Sequence, residues 1–200
     1  MKNGKIIGMG NSPIANFLST IDFSITYIYP KFFDDKKSLI ERNYNAYIKK
    51  VWQNKDKIKI ALYPDYVYFK LPLPKDIQYI IPCHDLPKDR ELYKRLVSEG
   101  FDVWLGFASN KKYRNYTVTE FLELAKGLNA KTWYLGVSTK RELNEVLVNG
   151  FDGFDFTTML FGRFSQIKDR EFVVKKIREL ENTVTSWQNR ATITDFLEKV

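Results

Sequence analysis

Cysteine and histidine are almost absent from this sequence: Cys83 is the only cysteine and His84 the only histidine. A single cysteine excludes an internal disulfide. One cysteine and one histidine also exclude a cysteine-based zinc site or an iron–sulfur cluster. No apolar run approaches the roughly 20 residues a membrane helix needs. The opening MKNGKIIGMGNSP carries Lys2 and Lys5 but no long apolar stretch, so it does not read as a signal peptide. These absences imply a reducing, cytoplasmic setting with no membrane partner. The nucleotide-binding fingerprints GxGxxG and GxxxxGK[ST] are missing too, and with them the usual dinucleotide and P-loop cofactors. The sequence calls for no cofactor and no metal.

What is present is a globular composition. Hydrophobic residues make up 44% and aromatic residues 16% of 200 residues, enough for one domain with a real core. The formal charge is +8, which suits a phosphate-rich partner such as tRNA or DNA and equally suits mere solubility. The lysines lie mostly beside acidic residues, as in FDDKKSLIERN, rather than in one basic block.

Short β-rich runs alternate with helical patterns. The runs are Lys5–Met9, Ser24–Tyr29, Ile58–Tyr63, Gln78–Pro82, Asp102–Phe107, Thr132–Val137 and Gly153–Thr157, with Tyr66–Leu71 as an eighth strand or a hairpin arm. Several are almost continuously apolar, as parallel strands buried on both faces must be. The 3.6-residue periodicity predicts helices over Leu39–Trp52, Asp89–Glu99, Thr117–Leu128, Arg141–Val148 and Arg170–Trp187, then a short one over Thr194–Val200. This pattern predicts a single α/β domain over residues 1–200: a small or incomplete (β/α)8-type TIM barrel of mainly parallel strands, with C-terminal helices 170–200 packed on it. An open doubly wound sheet is the other architecture it allows.

In such folds the chemistry gathers at the carboxyl ends of the strands. There the sequence places Asn11, Asp65, Cys83, His84, Asp85 and Asp155. Paired carboxylates are what acid–base or nucleophilic work at a glycosidic carbon requires. Plainer readings stand beside each. Asp65 shapes a turn after Pro64, Asp85 caps the next helix, and His84 is a hydrogen-bonded structural residue. Asp155 is different, because it interrupts the apolar run GFDGFDF, and a carboxylate there needs a partner or a task. Period-two alternation sets Gly153 and Asp155 on one face and Phe154 and Phe156 on the other.

The stretch from Trp133 to Arg163, WYLGVSTKRELNEVLVNGFDGFDFTTMLFGR, resembles the late barrel segment of the tRNA-guanine transglycosylases. Its matching features are Gly136-Val137, a short helix, then Gly150, Asp152, Phe154 and Asp155, with Arg163 in the following loop. Upstream, IIPCHDLPKDRELYKRLVSEGFDVWLGFAS resembles the two preceding strand–helix units, and LYPDYV an earlier strand. The resemblance covers about Ile58–Arg163. It implies a pentosyltransferase exchanging a purine-like base at a nucleoside C1′, with Asp155 as nucleophile. Cys83, His84, Gly106 and Phe107 would then lie around the base, Asp65 would contact it, and Arg163 would contact phosphate. The family's second catalytic Asp lies in an Asp-Ser-Gly-Gly segment. Here that place is Met9-Gly10-Asn11-Ser12-Pro13, without an Asp, so Asp65 or His84 becomes the candidate proton carrier. The family's zinc subdomain is also missing. The alternative is a non-catalytic nucleic-acid-binding barrel. A third reading sets Asp65, His84 and Asp155 around a divalent ion in a barrel hydrolase.

Overall fold

The computed structural model describes residues 5–162 and 169–197, with side chains up to residue 188. Eight strands form one all-parallel sheet in the order β2-β1-β8-β7-β6-β5-β4-β3. They are β1 (Ile6–Met9), β2 (Thr26–Ile28), β3 (Phe32–Phe33), β4 (Ile60–Leu62), β5 (Gln78–Cys83), β6 (Asp102–Ala108), β7 (Thr132–Val137) and β8 (Gly153–Phe156). The two edges of the sheet, β2 and β3, are joined by only Tyr29, Pro30 and Lys31, so the sheet is nearly closed into a TIM-like barrel. Lys31 turns the chain from one edge to the other: its N–H bonds the Ile28 carbonyl, and its own carbonyl accepts from Lys59 and Ile60.

The expected eighth strand thus sits at Phe32–Phe33, and Tyr66–Leu71 forms none. Tyr66, at φ +59, breaks that run, and the Tyr63 hydroxyl holds it by bonding the Phe69 carbonyl and the Leu71 N–H.

Helices α1 (Ala15–Leu18), α2 (Lys36–Ile40), α3 (Tyr44–Asn54), α4 (Leu86–Ser98), α5 (Val118–Gly127), α6 (Lys140–Val148) and α7 (Arg170–Leu197) complete the chain. The single helix expected over Leu39–Trp52 divides at Arg42, whose φ is +52, and Asn43 caps the second part through Ala46 N–H. Helices α5 and α6 start on full capping boxes, Thr117 with Glu120 and Thr139 with Glu142. The two helices expected at the C-terminus are one, α7. It is tied to the barrel by buried Glu181, whose carboxylate accepts from Ile25 N–H and the Thr26 hydroxyl, both at 2.8 Å.

The strands sort their side chains into two apolar regions, as a barrel must. One lies between strands and helices, and includes Phe107, Phe121, Tyr134, Phe151, Phe154 and Phe156. The other fills the barrel: Phe32, Ile60, Ile80, Trp104 and Trp133, with Ile6, Tyr27, Leu62 and Leu135 against them. Trp133 lies flat on Phe32, with ring centroids 5.4 Å apart and planes 5° from parallel. Two glycines make that possible. A Cβ at Gly153 would come within 2.5 Å of the Trp133 ring, and one at Gly8 within 2.8 Å of Phe32. The barrel is therefore a packed core rather than an open channel. Truncating Trp133 to Ala would cost about 3–5 kcal/mol.

Candidate active site at the barrel mouth

Above this aromatic plug sit two carboxylates. Asp155, on β8, points into the barrel while Phe154 and Phe156 pack outward under the helices. Its Oδ1 accepts from the Trp133 indole N–H at 3.0 Å and from Gly136 N–H at 3.2 Å. Gly136, at φ +77, interrupts the β7–β8 register, and this aims its N–H at the carboxylate. Burial pushes the Asp155 carboxyl upward. The Trp133 and Gly136 donors and the Lys36 charge pull it back, leaving it above the usual range.

Asp34 follows directly on β3 and is 2% exposed. Its Oδ1 accepts from Asn11 N–H at 2.8 Å, and Lys36 Nζ stands 3.5 Å from its Oδ2. Burial raises its carboxyl, the Lys36 charge and the Asn11 N–H lower it, and the Asp155 charge raises it again. The result is about 6. Gly10 is required here, since a Cβ at that position would collide with the Asp34 carboxylate. Gly8 pairs with Asp155 across the β1–β8 ladder, so Gly10 and Thr157 follow one step on at the same edge. Among the described residues, the buried hydroxyls of Thr157 and Ser12 have no hydrogen-bond partner.

Asp65 and His84 form a separate unit on the β4–β5 side. His84 Nε2 lies 2.7 Å from Asp65 Oδ1, and Nδ1 lies 2.8 Å from the Tyr113 carbonyl. Tyr66 stacks on the imidazole, 4.2 Å away. Both ring nitrogens face acceptors, so both contacts are hydrogen bonds only in the imidazolium form. Burial lowers its pKa, but the hydrogen bonds to Asp65 and Tyr113, with the carboxylate charges, outweigh that and raise it. The ring ties together the loops after β4 and β6, with both its nitrogens engaged.

The remaining sequence candidates scatter. Asp85 caps α4, accepting from Lys88 N–H at 3.2 Å. Cys83 is fully buried facing the helices, where burial holds its thiol well above its ordinary value, so its side chain does not reach the mouth. Phe107 likewise lies outward, packed on Tyr116, Phe121, Tyr134 and Phe151. Gly106 lines the barrel interior, where a Cβ would meet Ile80 at 2.8 Å. Asn11 contributes its backbone N–H to Asp34. Arg163 lies outside the described residues. Among the described residues no group of three or more His, Cys, Asp and Glu is arranged to hold a metal ion, so Asp65, His84 and Asp155 do not form the ion site of the hydrolase reading. No helix among them is long and apolar enough to cross a membrane.

Sequence reasoning missed Asp34, Lys36 and Trp133, and took Gly136 only as a feature of the resemblance, without its contact to Asp155. The signal for Asp34 was its place after two consecutive aromatics in FFDDKK, a strand end resembling a charged loop.

One comparison places the chain among known proteins. An uncharacterized protein of the Acidianus two-tailed virus, ORF192, is 35% identical over 190 residues, which span 93% of this chain and 96% of that protein. No family model matches the chain, and no solved structure does.

Proposed function

We propose that this chain, which belongs to the family of the Acidianus two-tailed virus protein ORF192, is an enzyme acting at the C1′ carbon of a nucleoside, with Asp155 and Asp34 as its working pair. The observation that carries this reading is the meeting at the barrel mouth of two carboxylates of different character, Asp34 buried and Asp155 half-buried. Asp155 has two N–H donors on one oxygen, which favour its ionised form against the effect of burial and support it as the nucleophile. Asp34, raised to about 6, holds a proton in mildly acid solution and serves as the acid. It supplies the second carboxylate that Met9-Gly10-Asn11-Ser12-Pro13 lacks, held over that segment by Asn11 N–H.

In the first step an Asp155 oxygen forms a bond to C1′ as the C1′–N bond breaks. The electron pair leaves with the base nitrogen, which takes the Asp34 proton. In the second step the nitrogen of an entering base attacks C1′, Asp155 departs as carboxylate, and Asp34 accepts the entering base's proton. Water in place of the base gives hydrolysis. The +8 charge supports a nucleic acid as the polymer that carries the nucleoside.

The test is incorporation of labelled guanine into tRNA and into duplex DNA, with nucleoside analysis to detect simple base release. Activity is expected to fall on the alkaline side near pH 6, as Asp34 loses its proton. Asp155→Asn and Asp34→Asn are each expected to abolish it. Exchange or release that survives Asp155→Asn refutes the assignment. Salt-sensitive binding with no base exchange or release by the wild type would establish the non-catalytic, nucleic-acid-binding barrel instead.

A further inference from the structure

Every strand of a complete (β/α)8 barrel is normally followed by a helix that covers the outside of the sheet. At two places this chain omits it: β4 runs to β5 through a long loop, and β2 passes straight to β3 through Tyr29, Pro30 and Lys31. The outer face of that seam is left as a cleft of about 540 Å³, flanked by α1 on one side and the end of α3 on the other. Its floor includes Ile28, which is 3% exposed, and its wall includes the Tyr29 ring, stacked on Phe33 at 5.3 Å. Its rim is basic. Lys31, Lys57 and Lys59 line it against a single acid, Asp56. Among the described residues none of those three ammonium groups has an ion-pair partner.

These lysines are held by regular structure. The Lys31 carbonyl accepts from Lys59 N–H at 2.9 Å, and Lys57 N–H bonds the Asn54 carbonyl at 2.9 Å, so the loop joining α3 to β4 is pinned to the seam. Three exposed ammonium groups on a held backbone, beside Ile28 and Tyr29, form a concave site of ordinary ligand size, with its charge matched to anions. Carboxylate ligands would use the charge but not the apolar floor and ring. A sugar phosphate carrying a base uses both, since phosphate oxygens take the ammonium groups and the base takes the apolar wall.

We propose that the uncovered β2–β3 seam is a nucleotide-binding site, taking a nucleotide phosphate either free or within a single strand. This inference rests on the cleft alone and is independent of the chemistry assigned to Asp34 and Asp155. Two probes separate the sources: adenosine monophosphate by calorimetry, and a fluorescein-labelled twelve-nucleotide oligo-dT by anisotropy. The wild type is expected to bind at least one. Replacing Lys31, Lys57 and Lys59 together by Ala is expected to weaken that binding about tenfold or more at low salt. For the oligonucleotide it should also flatten the salt dependence by a slope of about 2, at roughly 0.7 per lost phosphate contact. The matching triple Arg variant should keep the affinity, and Asp155→Asn should leave it unchanged. Lysine acetylation of the wild type, read by mass spectrometry with and without the bound probe, gives the same answer without a variant. Protection of Lys31, Lys57 and Lys59 supports the site. Binding by neither probe, unchanged affinity in the Ala variant, or unprotected lysines would each overturn it.

Discussion

Replacing Asp34 by Asn is expected to stabilise the protein near neutral pH while it abolishes the proposed base exchange. The carboxyl of Asp34 is raised from 3.8 to about 6, first by burial, with Lys36 and Asn11 opposing and Asp155 adding to the rise. An acid whose pKa is higher in the folded state stabilises the fold only while protonated. That stability is complete below pH 4, drains away as the pH climbs through 6, and is gone by pH 8. At about 1.4 kcal/mol per tenfold, the rise amounts to about 3 kcal/mol of cost at pH 8. Asn removes the ionisation and keeps an oxygen for Asn11 N–H. The 3.5 Å pairing with Lys36 that it forfeits is already counted in that rise, because the Lys36 charge is one of the causes that lower the carboxyl. The gain is therefore about 3 kcal/mol at pH 8, or a Tm increase of about 6–12 °C for a chain of this length. At pH 4 the two proteins should melt together. Thermal melts of both at half-unit intervals from pH 4 to 8 measure this. A gain that is equal at pH 4 and pH 8, or a loss at pH 8, would refute the account of Asp34 as a buried carboxylate held against its own preference.

Trp133→Phe keeps the stack on Phe32 but removes the N–H that Asp155 Oδ1 accepts at 3.0 Å. The Asp155 carboxyl should then titrate still higher, visible as an upward shift of its carboxyl carbon titration by NMR, with a stability loss of about 1–2 kcal/mol. An unmoved titration would show that the indole is not what holds the ionised form. Gly10→Ala places a methyl group where the Asp34 carboxylate lies, so the carboxylate must swing away from Asn11. Its titration should fall from about 6 toward the ordinary carboxylate range, and stability should drop by about 1–3 kcal/mol from overpacking.

The fold was legible because each parallel strand is buried on both faces and reads as an apolar run. Gln78–Cys83 and Asp102–Ala108 are long enough to show this on their own. The short strands were harder. Phe32–Phe33 is two residues long, too short for any periodicity, and becomes a strand only because Lys31 is bonded to the start of β4. The break at Arg42 was hidden for a different reason. Leu39, Tyr44, Tyr47, Ile48 and Val51 keep a helical spacing across it, although a residue at φ +52 cannot continue a helix. Tyr66–Leu71 failed in the opposite sense: its alternation suits a strand, but a residue in the left-handed region and the Tyr63 hydroxyl hold it as a loop.

The site was half legible, and the missing half follows from how a barrel is closed. Asp155 could be read because a lone carboxylate stands between phenylalanines on a strand whose other face must be buried. Asp34 could not, because its neighbours Asp35 and Lys36 make it look like part of a solvated run. Asp35 is in fact buried as well, bonded to the Ser38 hydroxyl at 2.6 Å and to Lys50 at 2.5 Å, so the apparent charged loop is an internal network. What turns Asp34 inward is the seam: a strand that crosses from β1 to β4 without a helix ends at β3, beside the carboxyl end of β1. Gly10 then leaves room for a carboxylate that no side chain at that position would admit. The partner of Asp155 is therefore set by topology rather than by any local motif. The nearer-looking candidates, Asp65 and His84, satisfy each other and tie loops together, which leaves Asp34 as the carboxylate whose charge couples to Asp155.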